Sequence, residues 1–341
     1  MLLLVSILLL LAGCGVKGGS RVSSSDSPVL VQTIPLLNVN GLNGNGSIVA
    51  MSYTDTSGAG ATTGFKETLK IYQQDDVNPD LLLELSSIYL GIDALSHRLA
   101  DIAINGRLAT VTMNDNNGPR GWVALVRMSN PALSATVTVP ATLDRAVAAG
   151  NWLLVAFNTN ISLYDITNPA NPVLKSTYAL SAGTTSIAAL PNGFFVITNN
   201  GYGYMNCADP RNIVFSETAD VNIKQSRKSY VIGNKLYIGG PSKYAGKAKI
   251  ARVDVTTPGT PKVEVFNDQI VGTFVDFSYD NADSYYLQMT DSVKLYKETD
   301  GVLGLSQSAS LTSFTSSASQ MHAYKGRFHI GKWGMNAYKM P

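Results

Sequence analysis

Charge is scarce in this chain. Only 15% of its 341 residues are Asp, Glu, Lys or Arg, and 26 cations against 24 acids leave a formal net charge of +2. That balance lacks the basic stripe with which a nucleic-acid binder neutralises phosphates, so DNA and RNA are excluded as partners. Two cysteines cannot build a disulfide framework, and three histidines offer few metal ligands. Catalytic signatures are missing too: there is no GxSxG elbow, HExxH pair, P-loop or dinucleotide fingerprint. What the chain does have is 30 glycines, 14 prolines and frequent Thr, Ser, Tyr and Val in alternation, the composition of an all-β protein with many turns.

A turn signal followed by a short apolar run recurs seven times: NGNGSIVAM (43–51), NGRLATVTM (105–113), AGNWLLVAF (149–157), PNGFFVITN (191–199), GNKLYIGG (233–240), NADSYYLQM (281–289) and KGRFHIGKW (325–333). Each reads as a tight β-hairpin. The residues after the turns, Ser47, Arg107, Trp152, Phe194, Lys235, Ser284 and Arg327, are 60, 45, 42, 41, 49 and 43 apart. Those steps match the blades of a β-propeller.

The second half of each unit carries the same period. A strand ending in an apolar-polar pair enters a Pro-rich turn and a second alternating strand, most clearly in SLYDITNPANPVLKSTYAL (162–180). The seventh copy stops at Pro341 in mid-unit. Its continuation is SPVLVQTIPLL at 27–37, which aligns with NPVLKSTYAL through Pro28 and Pro172. The N-terminal segment is therefore expected to supply the outermost strand of a blade built from roughly 305–341, closing the ring. The fold class is all-β, a seven-bladed propeller over residues 27–341, with no room for a second domain.

The segment ISLYDITNPANPVLKSTY resembles the LVIVD repeat of secreted and envelope proteins through Asp165, Asn168, Pro169 and Pro172, and less fully through Asp254, Pro258 and Pro261. Asn206, Arg127 and Lys297 stand where the clean copies have Asp. The resemblance implies a propeller and no catalytic residues, because the repeated positions are structural.

Residues 1–13 form an apolar run too short for a comfortable membrane span and ending in small residues, as a cleaved signal does. Leu11-Ala12-Gly13-Cys14 resembles the bacterial lipobox, which implies cleavage before Cys14, a lipid on that cysteine and anchorage in the envelope, with Gly15 resembling outer-membrane sorting. Residues 14–26 then hold the lipidated cysteine and a Gly/Ser-rich tether with a reach of about 20 Å. Cys207 aligns with Ile166 and Val255 at strand ends that should face the core. Because the tether enters at the start of an outer strand, the face carrying the tight turns is expected to look toward the membrane.

Length variation falls on the opposite face, in loops 54–67, 114–121 and 240–248. Loops held by a rigid scaffold are where binding residues gather. Lys224, Arg227 and Lys228 lead into the fifth blade, and Lys243, Lys247 and Lys249 surround its long loop. They make a candidate patch for an acidic protein or anionic glycan. Asp115 before Gly118 suggests calcium only faintly, since the EF-hand ligand spacing fails. Asp101, Asp144, Arg145, Asp276 and His322 sit on inner strands and are candidates for the channel mouth, where propeller enzymes hold their acids and bases. A metal shared by His97, His322 and Asp101 is the weakest of these readings, and no cofactor or metal is assigned. Trp122 and Trp152 read as packing residues. The function expected is a non-catalytic binding or assembly platform in the envelope, with an envelope or extracellular protein, or a surface glycan, as partner. An enzyme working at the channel mouth and a structural subunit of a surface layer are the alternatives.

Overall fold

The computed structural model describes residues 28–34, 39–55, 66–93, 97–280, 283–310, 320–331 and 335–340. The segment carrying Cys14 and the tether lies outside the described residues, as does the middle of loop 54–67. Seven four-stranded antiparallel sheets stand in a ring, the arrangement of a seven-bladed β-propeller. Their inner strands are Val39–Asn45, His97–Asn105, Leu143–Ala149, Thr184–Leu190, Lys228–Ile232, Phe274–Tyr279 and Gln320–Tyr324, and each touches the inner strands on either side of it.

Blade seven is composite, as the broken repeat predicts. Its first three strands are Gln320–Tyr324, Arg327–Gly331 and Met335–Lys339, and the fourth is Val29–Ile34. Val29 pairs with Lys339 and Ile34 with Met335, and the Thr33 hydroxyl donates to the Asn336 side-chain carbonyl at 2.9 Å.

Blade position explains the sequence of each strand. Second strands are packed on both faces by neighbouring blades, so Gly193–Thr198 (GFFVIT) and Ser284–Met289 (SYYLQM) are buried at every residue. Outer strands such as Val173–Ala179 face solvent and alternate between half-buried and exposed. Some tight turns open on glycine, as at Gly106 (φ +55°) and Gly150 (φ +56°), which adopt the positive φ that the first position of a type II′ hairpin demands; the blade-seven turn has positive φ at both Lys325 (+47°) and Gly326 (+73°), the type I′ pattern.

At the Pro-rich turns the strand-ending polar residue caps the chain. Asp165 accepts the Thr167 N–H at 2.9 Å and Asp254 that of Thr256 at 2.7 Å. Asn206 does the same for Ala208 at 3.0 Å, because an amide carbonyl serves an Asx turn as well as a carboxylate. The next residue locks the blade: the Ile166, Cys207 and Val255 N–H groups donate to the carbonyls of Asn151, Asn192 and Asn234 at 2.8, 2.8 and 2.9 Å. Cys207 is buried among Phe194, Val196 and Met205, and burial pushes its thiol up to about 11.

All seven seams between blades are bridged by hydrogen bonds at or beside the inner strands. Asn43 donates to the Ile102 carbonyl at 2.5 Å, Thr110 to Ala146 at 2.6 Å, Arg145 to Thr185 at 2.8 Å and Thr185 to Ser226 at 2.8 Å. Tyr230 donates to Phe277 at 3.3 Å, the Met321 N–H to Asp276 at 2.6 Å and the Leu42 N–H to Gln320 at 2.7 Å. Strands alternate in direction, so the ring has two unlike faces. One carries the hairpin and Pro-rich turns. The other, the loop face, carries the blade connections and the longer loops.

Candidate functional site

One position on each inner strand decides what the channel holds. In five blades a β-bulge precedes it, with register shifts between Val39 and Gly41, Leu99 and Asp101, Leu143 and Arg145, Thr184 and Ser186, and Phe274 and Asp276. A bulge adds a residue and re-aims its neighbours. In the other two blades Lys228 and Gln320 open the inner strand directly. The tier is thus Gly41, Asp101, Arg145, Ser186, Lys228, Asp276 and Gln320.

Its four charges pair off. Arg145 Nη1 stands 3.1 Å from Asp101 Oδ2, and Lys228 Nζ stands 3.0 Å from Asp276 Oδ2. Lys228 also donates to the Met321 carbonyl at 3.0 Å. Burial lifts the Asp101 carboxyl above the usual range against the pull of Arg145 and Lys228. Burial works against the Lys228 charge, but Asp276 and Tyr230 beside it hold its ammonium above the usual lysine value. Two cations cancel two carboxylates. The remaining channel cavity, about 110 Å³, has room for a few waters. It falls short of the roughly 300 Å³ at which small-molecule pockets begin.

Where the channel opens on the loop face lies a cavity of about 440 Å³, whose wall includes Arg98, Thr142, Asp144, Arg145, Thr185 and Arg227. Asp144 and Thr185 are bulge residues, and the bulge turns them out of the strand alternation into this mouth. Burial raises the Asp144 carboxyl to about 6 although Arg145 pulls it down. Arg98 and Arg227 are exposed and make no ion pair among the described residues.

These placements correct several expectations. Lys228 is not on the outward surface: it lies in the channel, where its ammonium is held by Asp276 and the Met321 carbonyl. Lys249 is 4% exposed, its ammonium capping the Asn222 carbonyl at 2.8 Å and the Lys224 carbonyl, and burial lowers it to about 8. Lys224, Arg227, Lys243 and Lys247 stay on the loop face. Lys243 lies 4.0 Å from Asp268, Lys247 reaches Gln269 at 2.5 Å, and both stand over the Tyr244 ring. Among the channel candidates only Asp144 and Arg145 line the open mouth; Asp101 and Asp276 are buried beneath it. His322 is also buried, bonded at 2.9 Å to the Gly46 carbonyl on the tight-turn side. His97 instead meets the edge of the Trp122 ring, 4.3 Å between centroids. His97, His322 and Asp101 therefore have separate surroundings, and no group of three metal-ligating side chains occurs among the described residues. Asp115 turns back on the Asn117 N–H at 2.8 Å.

Sequence reasoning missed Arg98, Thr142 and Thr185 in the mouth, and it missed Glu67. The last is buried on the third strand of blade one, held by Asn40 at 2.8 Å and by the Ser52 hydroxyl, and burial raises it to about 7. An inner-strand start marks Arg98 and Thr185 once the bulges are known. No local pattern marks Glu67.

No family model and no curated protein matches the chain. Solved structures do. A chain of a mitotic checkpoint complex superimposes with a TM-score of 0.60 at 11% identity, covering 99% of both chains. A putative 6-phosphogluconolactonase from Bacteroides uniformis gives 0.54 at 14% identity over 85% of this chain and 88% of that one. The WD40 domain of Toxoplasma gondii coronin gives 0.54 at 11% identity over 95% and 86%. At such identities the likeness speaks for the fold alone: a β-propeller, a common scaffold for binding proteins.

Proposed function

We propose that the protein is a non-catalytic binding platform of the bacterial cell envelope, an LVIVD-type propeller held by a lipid on Cys14, which meets an acidic partner with its loop face. The observation that carries this reading is a contrast within one axis. The channel is filled by two mutually neutralising ion pairs, whereas Arg98, Arg227, Lys224, Lys243 and Lys247 present positive charge around and beside its mouth. A surface of one sign steers and orients a partner of the other. The partner is an envelope or extracellular protein or a surface glycan. In this arrangement the tight-turn face looks toward the membrane.

A channel-mouth enzyme is the second reading, and Asp144, raised to about 6 beside Arg145, is the observation in its favour. Against it, the neighbouring carboxylates Asp101 and Asp276 are committed to Arg145 and Lys228, so Asp144 has no free acid or base opposite it among the described residues.

An affinity pull-down from detergent-solubilised envelope tests the platform. Wild type should retain a stoichiometric partner that a Lys243→Glu, Lys247→Glu variant loses. Capture of nothing by either protein would count against the platform and for activity screens at the mouth.

A further inference from the structure

We propose that the 440 Å³ mouth is a carboxylate-recognition pocket, and that its occupant is the side chain of an acidic peptide segment of a partner protein. This rests on the platform reading and names the chemistry of its contact.

Three blades contribute the cations. Arg98 comes from the inner strand of blade two, Arg145 from blade three, and Arg227 from the connection that enters blade five. A guanidinium presents paired N–H groups in a fork that matches a carboxylate, with both energy and direction. Arg145 is preorganised: Asp101 and the Thr185 carbonyl fix Nη1 and Nε, so its ordering cost is met by the fold. Arg98 and Arg227 have no acidic partner among the described residues, and Asp144 is the one acid in the wall. With Arg145 paired to Asp101, the two guanidiniums of Arg98 and Arg227 face the single carboxyl of Asp144, so the wall keeps a net positive charge.

Shape and lining select the occupant. The cavity is too large for a lone inorganic oxyanion and falls within the roughly 300–1,000 Å³ of organic-ligand pockets. Leu99, Ala100 and Leu143 are among its lining residues, and apolar side chains there suit the short aliphatic stem of Asp or Glu. Among the described residues no aromatic ring lines it, so a sugar ring would find no stacking platform there. Beyond Arg227 the cations continue outward through Lys224 to Lys243 and Lys247. A run of acidic residues anchored at the mouth can thus extend across blade five.

The test is fluorescence anisotropy of the full chain with a labelled poly-Glu peptide, a poly-Gln peptide of the same length and an oligogalacturonate of matching charge, each at low and physiological salt. Poly-Glu should bind, poly-Gln should not, and an Arg98→Glu, Arg227→Glu variant should weaken poly-Glu by roughly tenfold or more, about 1.4 kcal/mol. An Arg211→Glu, Lys262→Glu variant makes the same charge change beside the Pro-rich turns of the opposite face and should shift binding less than about twofold. All four positions are exposed, so thermal melting should show both variants folded. Equal losses in the two variants, no binding of poly-Glu, or binding of oligogalacturonate alone would overturn the proposal. Failure here with the pull-down partner still captured would sink the carboxylate pocket and leave the platform standing.

Discussion

Burial and long-range partners set the chemistry of Cys207, Lys228, Lys249 and the two buried histidines. Cys207 aligns with Ile166 and Val255 and lies in the core as that alignment predicts, because each follows its strand directly and is held by an N–H bond back to the preceding hairpin turn. Lys228 and Lys249 look like any surface lysine in sequence, yet Lys228 is drawn into the channel by a carboxylate 48 positions away and Lys249 is buried against two carbonyls of the preceding connection. Long-range partners leave no local trace. The buried pair His322 and His329 yields a measurable consequence. Burial depresses His322 to about 3, with His329 adding to the effect, and depresses His329 to about 4. A histidine whose folded value lies below its unfolded value of about 6.5 binds fewer protons in the native state, so its contribution to stability falls as pH drops below that point. Glu67 and Asp144, both raised by burial, act in the opposite sense and blur the profile of the wild type alone. Their contributions cancel in a difference. Urea unfolding of wild type and His329→Leu at pH 7.5 and pH 5 should show the variant gaining roughly 2 kcal/mol relative to wild type at the lower pH. A difference that does not move with pH would mean that His329 is not held neutral.

At the scale of elements, the hairpins were legible because tight two-residue turns draw on Gly, Asn and Pro for their backbone angles, and the residues after the seven turns open or adjoin second strands. The β-bulges were not. A bulge breaks the two-residue alternation on which strand reading rests, and five inner strands carry one just where the channel and its mouth are built. That is why Asp101, Asp144 and Arg145 were identified as channel residues while their division between plug and mouth was not. The outer strand of blade seven was legible from a single proline register, Pro28 against Pro172. Its removal leaves Met335–Lys339 as an exposed edge and opens the ring between its first and last segments. A chain starting at residue 39 should melt about 10 °C lower or more and should associate through that edge. Scanning calorimetry with size-exclusion chromatography checks this, and an unchanged midpoint with a monodisperse monomer would show that the strand is dispensable.

For the whole molecule, closure and polarity together lead from fold to function. A blade cannot bury both faces of its second strand alone, so stability comes from neighbours, and the seven hydrogen-bonded seams make each blade depend on the next. The same packing gives the ring one face of uniformly short turns and one of variable loops. The ion-paired tier closes the axis just beneath the second face, leaving a shallow, positively walled mouth. The composition carries no catalytic motif, but it does not separate exposed cations from buried ones, since that division depends on which blades converge. The most direct test of the account is amide hydrogen exchange on the full chain, with and without the partner captured from solubilised envelope. The account predicts protection at 98–100, 142–145, 184–185, 224–228 and 242–247 around the mouth and over blade five. Protection centred instead on the tight turns at 105–108, 149–152 and 233–235 would contradict it.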